Sequence, residues 1–323
     1  MDGFEKYWKN LLGKYRRNPL WDLKNASACA IIKTHSCKKK RVKKGKDIMK
    51  KFLTDVHTHT TYSHDGQDEL RVMLDAAMKK SLTFYGISEH FDYDYDVTKM
   101  DAEEYAHTRN ADPETYFHAA RHAQEDYAGA LNVLVGAEFG YSNKAEIQAM
   151  YLETYDKYRP DYVINSVHSV GGVDYCRCVY TKDKAETYRE YLRLIRESLD
   201  APYPYDIVGH IGYIARYVPY ADGRITVEEF GAELDDIFQT IIEKDKILEI
   251  NSSSKQLPQL ALPSLELVRH YYELGGRKIS YGSDAHGCVR IADKREEVVA
   301  ALKEIGFTHI TVPCRGEHIK VEI

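Results

Sequence analysis

The residue pattern predicts an α/β protein, a parallel sheet with helices packed outside it. Two observations carry this expectation. From residue 52 onward, short apolar runs alternate with amphipathic stretches, the β-then-α order that builds a parallel sheet. Nearly every run also ends in His, Asp, Glu or Asn, at the strand ends where such a sheet opens into its βα loops and carries its chemistry. A chain of 323 residues can bury one large core, and single α/β barrels reach this size.

Residues 1–48 stand apart from this pattern. Residues 1–50 hold 15 Lys+Arg against 4 Asp+Glu, a net of +11, which leaves the remainder at −16. The run Lys38-Lys39-Lys40-Arg41 with Lys43-Lys44 would repel itself in a compact fold. Trp8, Leu11, Leu12 and Tyr15 can form a short amphipathic helix, but nothing follows to bury it. Three readings stay open: a disordered tail, a nucleic-acid or targeting arm, or an upstream translation artefact with Met49 as the biological start. The expected organisation is a basic extension over 1–48 and one body over 49–323.

The body opens with Phe52, Leu53 and Val56 leading through residues 55–66, DVHTHTTYSHDG. Residues i and i+2 of a strand share a face, so His57 and His59 can direct two imidazoles at one point. Asp65 follows on the departing loop, and this set suits a divalent transition metal. Run 82–88 ends in Glu89-His90, run 133–137 in Glu138, run 162–167 in His168, and run 207–209 in His210. Run 247–250 ends in Asn251, and run 278–283 in Asp284 and His286. Between them, Tyr188, Tyr191, Leu192, Ile195 and Leu199 share one helical face, as do Phe230, Leu234, Ile237 and Ile241. Two inserts, 91–130 and 169–181, would rise above the strand ends and cover a site there.

His57, His59, Asp65, His90, Glu138, His168, His210, Asp284 and His286 make a set of imidazoles and carboxylates too large for one ion, which takes three or four protein ligands. The set fits two or three ions of Zn, Mn or Fe. Glu138 has two oxygens with which to bridge a pair. Without metal such groups would be costly to bury.

The segments DVHTHTTYSHDG, SEHFDY, GAEFGY, NSVHSVGG, VGHIGYIARY, LEINSS and GSDAH occur in this order. The series resembles the successive motifs of the PHP (polymerase and histidinol phosphatase) superfamily, in the spacing of its monofunctional histidinol-phosphate phosphatase branch. The resemblance spans residues 50–310 and implies a distorted seven-stranded (β/α) barrel with a trinuclear metal centre. Carried over motif by motif, one ion would take His57, His59, Glu138 and Asp284. A second would take Asp65, His90 and His286, and a third Glu138, His168 and His210. Glu138, Asp284 and His286 would form the catalytic centre. The implied substrate is L-histidinol phosphate, a small-molecule phosphate ester of histidine biosynthesis. Its dianionic phosphate repels a nucleophile until metal ions neutralise it and acidify a water. Arg216, in a segment similar to the family's RY pair, and Arg177, on the loop after His168, are the candidate phosphate-binding cations. The sequence departs from the family at Gly212, where an acidic residue is expected after GHI, and at Lys255, where an Arg is expected nearby.

Three other functions compete. The same site can serve another small phosphomonoester, a nucleotide or a phosphotyrosine peptide. A metal-stabilised structural or nucleic-acid-associated module is a second reading, against which the acidic body weighs, since a phosphate backbone needs a basic surface. Amidohydrolase-type C–N hydrolysis wants a bridging Lys at a strand end, and none is evident. No apolar run approaches the ~18–20 residues of a membrane span. The six cysteines show no framework spacing beyond Cys176-x-Cys178, so free thiols in a reducing cytoplasm are expected. His118 and His122 read as a solvated helix face, His64 as either a neighbour of the ligands or a loop residue, and residues 91–96 as an acidic exposed loop. Tyr93, Tyr95 and Tyr175 are candidates for stacking on an imidazole.

Overall fold

The structure, a computed structural model, describes residues 53–95, 110–255 and 257–323. The expected extension over 1–48 lies outside the described residues, as does 96–109 of the first insert. The body is a nearly closed barrel of seven parallel strands with helices around it, as the alternation predicts. The barrel strands are β1 (Thr54–Asp55), β2 (Phe84–Ile87), β4 (Asn132–Gly140), β5 (Tyr162–Ser166), β8 (Ile207–Val208), β9 (Ile247–Asn251) and β10 (Ile279–Gly282). They pair in that order, each parallel to the next. The short β3 (His90–Phe91) continues the line of β2 against β4. The last and first strands meet through Val56 N–H to the Tyr281 carbonyl at 3.1 Å and Asp284 N–H to the His57 carbonyl at 2.8 Å. Buried Asp55 locks this seam, accepting from the Ser283 amide at 2.9 Å and the Ala292 amide at 2.8 Å.

Outside the barrel lie α1 (Leu70–Lys79), α2 (Pro113–Asp126), α3 (Ala145–Tyr158), α4 (Lys184–Ser198), α5 (Val227–Glu243), α6 (Leu265–Glu273) and α7 (Arg295–Ile305). Their starts follow capping chemistry: Asp112 accepts from the Thr115 amide, Asp183 from Glu186 and Thr226 from Glu229. The faces anticipated on α4 and α5 are the buried ones. The hairpin β6 (Ser169–Val170) and β7 (Val173–Asp174) rises after β5, and β11 (His309–Cys314) pairs with β12 (Glu317–Glu322) at the chain's end.

Strand alternation divides the core in two. On β4, Val133, Val135, Ala137 and Phe139 join the large cluster beneath the helices, whereas Leu134 joins Val56, Tyr162, Ile164, Ile207 and Ile247 in a second cluster. Val312 and Val321 of the terminal hairpin belong to this second cluster. The Tyr162 ring reaches across to the Val56 carbonyl at 2.7 Å. Its room depends on Gly86 and Gly136, where an added Cβ would lie 2.3 Å from the ring. Glu138 shares the face of Leu134 and Gly136 by period-two alternation. It therefore stands above this apolar layer, at the end of the barrel where the loops open.

Candidate metal and phosphate site

Glu138 is fully buried and stands at the centre of the site. Its Oε1 lies 3.1 Å from His168 Nε2 and 3.0 Å from His210 Nε2, and it accepts from Ser166 Oγ at 2.7 Å. Its Oε2 lies 2.9 Å from His90 Nδ1, 3.4 Å from His57 Nε2 and 3.6 Å from His59 Nε2. Asp284 Oδ1 lies 3.4 Å from His59 Nε2. It is held there by a backbone at φ 51°, a left-handed turn that Asp tolerates better than most residues. His286 Nε2 lies 2.9 Å from Asp65 Oδ2, and His90 Nε2 lies 3.7 Å from Asp65 Oδ1. The ring of His59 stacks between those of His90, at 4.1 Å, and His286, at 4.3 Å. All nine residues expected from the strand ends thus converge.

The hydrogen bonds behind these rings set which nitrogen faces inward. His57 Nδ1 meets Glu249 Oε1 at 2.5 Å, His168 Nδ1 meets Asp92 Oδ1 at 2.8 Å, and His286 Nδ1 meets the Asp284 carbonyl at 3.0 Å. An N–H spent on each of these acceptors leaves Nε2 with a lone pair pointing inward. Yet His57 Nε2 is 3.1 Å from His59 Nε2, and His168 Nε2 is 3.3 Å from His210 Nε2. Lone pairs that face each other across such gaps beside buried carboxylates are a donor set for cations. Glu138 Oε2, buried and facing His90, His57 and His59, fits the same description. The groupings His57–His59–Asp284, His57–Glu138–His210, His90–Glu138–His168 and His59–His90–His286 each bring their ligand atoms within 4.8 Å.

Without a cation, the same carboxylates pull protons onto several of these rings. Burial opposes charge on His57, but Glu249, Glu138 and Asp284 more than offset it and hold the imidazole well above its usual range. His168 is raised against burial by Asp92 and Glu138, and His90 to about 9 by Glu138 and Asp65. Burial, then the neighbouring His90 and His286, push His59 well down. Burial would raise the Glu138 carboxyl, but His57, His168 and His90 keep it well below the ordinary range.

A cavity of ≈ 190 Å³ opens over the cluster, lined among others by Asp174, Arg177, Tyr213, Arg216 and Lys255. The Arg216 side chain is 3% exposed and lies 3.4 Å from Asp284 Oδ2. It also donates to the Ser253 carbonyl and packs 5.1 Å over the Tyr213 ring, while its Nε has no partner. Lys255, at the position of the expected Arg, reaches the same cavity, and so does His64.

Several expectations need correction. Residues 91–95 are not an exposed acidic loop: Asp92 is buried against His168, and Asp94 is buried with Lys144 at 2.5 Å; Asp96 lies outside the described residues. Phe91 and Tyr93 turn to the core, Tyr95 lines the cavity, and the two carboxylates meet His168 and Lys144. Nor, among the described residues, do Tyr93, Tyr95 or Tyr175 stack on an imidazole. Tyr93 stacks on Tyr151, Tyr95 donates to Asp174 at 2.7 Å, and Tyr175 meets Tyr191 edge-on. Tyr213 is the ring that packs against His168, at 5.1 Å, and His210, at 5.3 Å. Glu249 was missed altogether. Its signal was a carboxylate at the centre of a strand buried on both faces, where a charge needs a partner. His118 and His122 are exposed on α2, away from the cluster, as expected. Gly212 adopts φ 107°, which an acidic residue would enter only under strain.

With the geometry in hand, the comparisons with known proteins are specific. The PHP domain profile matches residues 55–253. The chain belongs to the PHP family. A PHP relative from Clostridium acetobutylicum, named a probable histidinol-phosphatase, is 30% identical over 238 residues, 73% of this chain and 87% of that one. The histidinol-phosphatase of Lactococcus lactis is 28% identical over 264 residues, 80% of this chain and 93% of that one. The crystal structure of the Lactococcus lactis histidinol phosphate phosphatase, complexed with Zn, L-histidinol and phosphate, superposes with a TM-score of 0.69 at 26% identity. That match covers 83% of this chain and 99% of the other. The crystal structure of a histidinol phosphatase homologue, so named, from Listeria monocytogenes shares the fold, with a TM-score of 0.67 at 21% identity over 76% of this chain and 99% of that one.

Proposed function

We propose that this PHP protein is a metal-dependent phosphomonoesterase that hydrolyses L-histidinol phosphate to L-histidinol and phosphate, a cytoplasmic step of histidine biosynthesis. The observation that carries this reading is Glu138, whose two oxygens each face imidazoles with inward lone pairs, beside a small cavity lined by Arg177, Arg216 and Lys255. The relatives named as histidinol-phosphatases support the choice of substrate. The size of the cavity supports a small monoester over a phosphopeptide, since ≈ 190 Å³ is well below the ~300–1,000 Å³ of larger ligand sites.

The residues divide their work. His57, His59, Glu138 and Asp284 would hold one divalent ion, Asp65, His90 and His286 a second, and Glu138, His168 and His210 a third. Bound there, such ions neutralise phosphoryl oxygens and acidify water near neutral pH. Glu249, Asp92 and the Asp284 carbonyl fix the rings of His57, His168 and His286 so that Nε2 faces inward. Arg216, clamped by Asp284, Ser253 and Tyr213, keeps Nε free to donate to a phosphoryl oxygen. Arg177 offers a second cation from the hairpin side.

The test is phosphate release by purified protein from L-histidinol phosphate, nucleotides, sugar phosphates and a phosphotyrosine peptide, with Mn or Zn and after chelation. A strong preference for L-histidinol phosphate that chelation abolishes, and that Glu138→Ala removes together with bound metal, is expected. Preference for another phosphate ester would move the substrate. Full activity in Glu138→Ala would overturn the shared-ligand role.

A further inference from the structure

We propose that Asp174 is a specificity-determining residue that binds the substrate's ammonium group. The inference rests on the phosphatase reading above and adds how the alcohol half of the ester is recognised. The site's other acids facing the cavity have cationic or imidazole partners. Asp65 faces His286 and His90, Asp92 faces His168, and Asp284 faces Arg216 and His59. Asp174 differs. It is 9% exposed and lines the cavity, yet among the described residues no Lys, Arg or His approaches its carboxylate as an ion pair.

Its donors are neutral. Tyr95 Oη donates to Oδ2 at 2.7 Å, and the Cys176 amide to Oδ1 at 2.7 Å. Tyr213 Oη lies farther off, at 3.4 Å from Oδ1 and 3.5 Å from Oδ2. Burial lifts the Tyr95 hydroxyl well above its ordinary range, with Asp92 and Asp174 adding to it, so Tyr95 remains a donor. These bonds orient a carboxylate without neutralising it. A nearly buried anion without a countercharge is costly, and a cation delivered by a ligand removes that cost.

The surroundings suit such a cation. Tyr213 and Tyr217 stand beside Asp174 in the cavity wall; their rings are already engaged by Arg216 and Lys255, at 5.1 and 5.8 Å, so the Asp174 carboxylate is the group left to take a further cation. The cavity is thereby polarised. Arg216 and the cluster around Glu138 take the phosphate, and Asp174, carried by the β6–β7 hairpin, takes the ammonium of the alcohol. L-Histidinol phosphate carries both charges at neutral pH, a dianionic phosphate and, on the carbon next to the ester CH2, an ammonium, with the imidazole beyond it.

The experiment compares L-histidinol phosphate with its deamino analogue, 3-(imidazol-4-yl)propyl phosphate, which lacks only the ammonium. For the metal-loaded wild type, kcat/KM should favour the amine. In Asp174→Asn, which retains an acceptor for the Cys176 amide, the ratio of the two kcat/KM values should fall at least about tenfold, mostly through KM. Asp174→Glu, which keeps the charge, should recover part of the ratio. An unchanged ratio in Asp174→Asn, or an equal loss on both esters, would assign Asp174 to hairpin structure and overturn the proposal. Calorimetric binding of L-histidinol in the presence of phosphate separates this from failure of the phosphatase reading. Binding weakened in Asp174→Asn supports the subsite whatever the protein hydrolyses, and unaltered binding rejects it.

Discussion

Glu249 does two things with one carboxylate: Oε1 holds His57 Nδ1 at 2.5 Å, and Oε2 accepts the His210 amide at 2.7 Å. It thus fixes the His57 ring and the His210 backbone without itself facing the cavity. Glu249→Gln preserves shape and one acceptor but removes the charge that makes His57 a strong donor. Orienting groups of this kind typically change metal affinity 10–100-fold. Dialysis against graded chelator should therefore strip the variant at about ten times lower chelator concentration or less, while its far-ultraviolet dichroism matches wild type. Equal retention would confine Glu249 to strand packing. Arg216→Ala makes a different prediction, because Arg216 meets the cluster only at the outer oxygen of Asp284, at 3.4 Å, and faces the cavity. Its loss should lower kcat/KM by about 100-fold and raise the inhibition constant of inorganic phosphate, leaving metal content near wild type. Unaltered kcat/KM would remove Arg216 from phosphate binding. Glu249 and Asp92 were illegible in sequence for opposite reasons. LEIN looks like an ordinary buried strand with one polar interruption, and FDYDYD looks like a solvated acidic loop. Only the three-dimensional partners, His57 and His168, give either carboxylate its meaning.

Among the elements, the terminal β11–β12 hairpin has the least local reason to stay where it is. It adds Val312 and Val321 to the inner apolar cluster, and Asp161, just before β5, ties it down. The Asp161 side chain is fully buried. It accepts from Arg315 Nε at 2.6 Å, Arg121 Nη1 at 2.7 Å, Gln124 Nε2 at 2.7 Å and the Val135 amide at 2.9 Å. One carboxylate therefore joins the hairpin, α2 and β4. Burial pushes its carboxyl up, but Arg121, the Arg315 hydrogen bond and the Val135 amide hold it below the usual range. Both arginines are partly exposed, at 28% and 40%, so solvent screens part of their attraction. Asp161→Ala should cost about 2–4 kcal/mol in urea unfolding at pH 7. The sign of its pH dependence follows from the lowered folded value. The charged form contributes fully above the unfolded value of about 4 and loses its contribution as pH falls through the folded value. The gap between wild type and variant should therefore narrow below about pH 4. A gap that stays constant or widens in acid would contradict the ion-pair origin.

At the scale of the molecule, the barrel was legible because its signal is repeated: seven buried runs, each ending where a parallel sheet presents its chemistry. Repetition made Glu138, His168 and His210 readable even though β8 is two residues long. What repetition does not encode is contact across the barrel mouth. Tyr213 against His168 and His210, and Asp174 under Tyr95, depend on how irregular segments fold over the strand ends, and those segments have no period to read. The convergence of so many imidazoles and acids also makes the molecule's proton content depend on metal. In a metal-free chain, His57 and His168 are held well above the ordinary imidazole range and His90 to about 9, each against burial, by carboxylates that include Glu138. At about 9, His90 keeps its proton at pH 7, and cation binding requires the rings' lone pairs. Metal uptake should therefore expel protons, and apparent affinity should fall as pH is lowered. Calorimetric titration of Zn into chelator-stripped protein at pH 7, repeated in buffers of different ionisation enthalpy, reads the number directly. A slope of about one proton or more released per chain is expected, and metal should raise the melting temperature because it binds only the folded arrangement. A slope of zero would mean that the rings are already neutral in the stripped protein, and that Glu249, Asp92 and Glu138 do not hold the charge assigned to them.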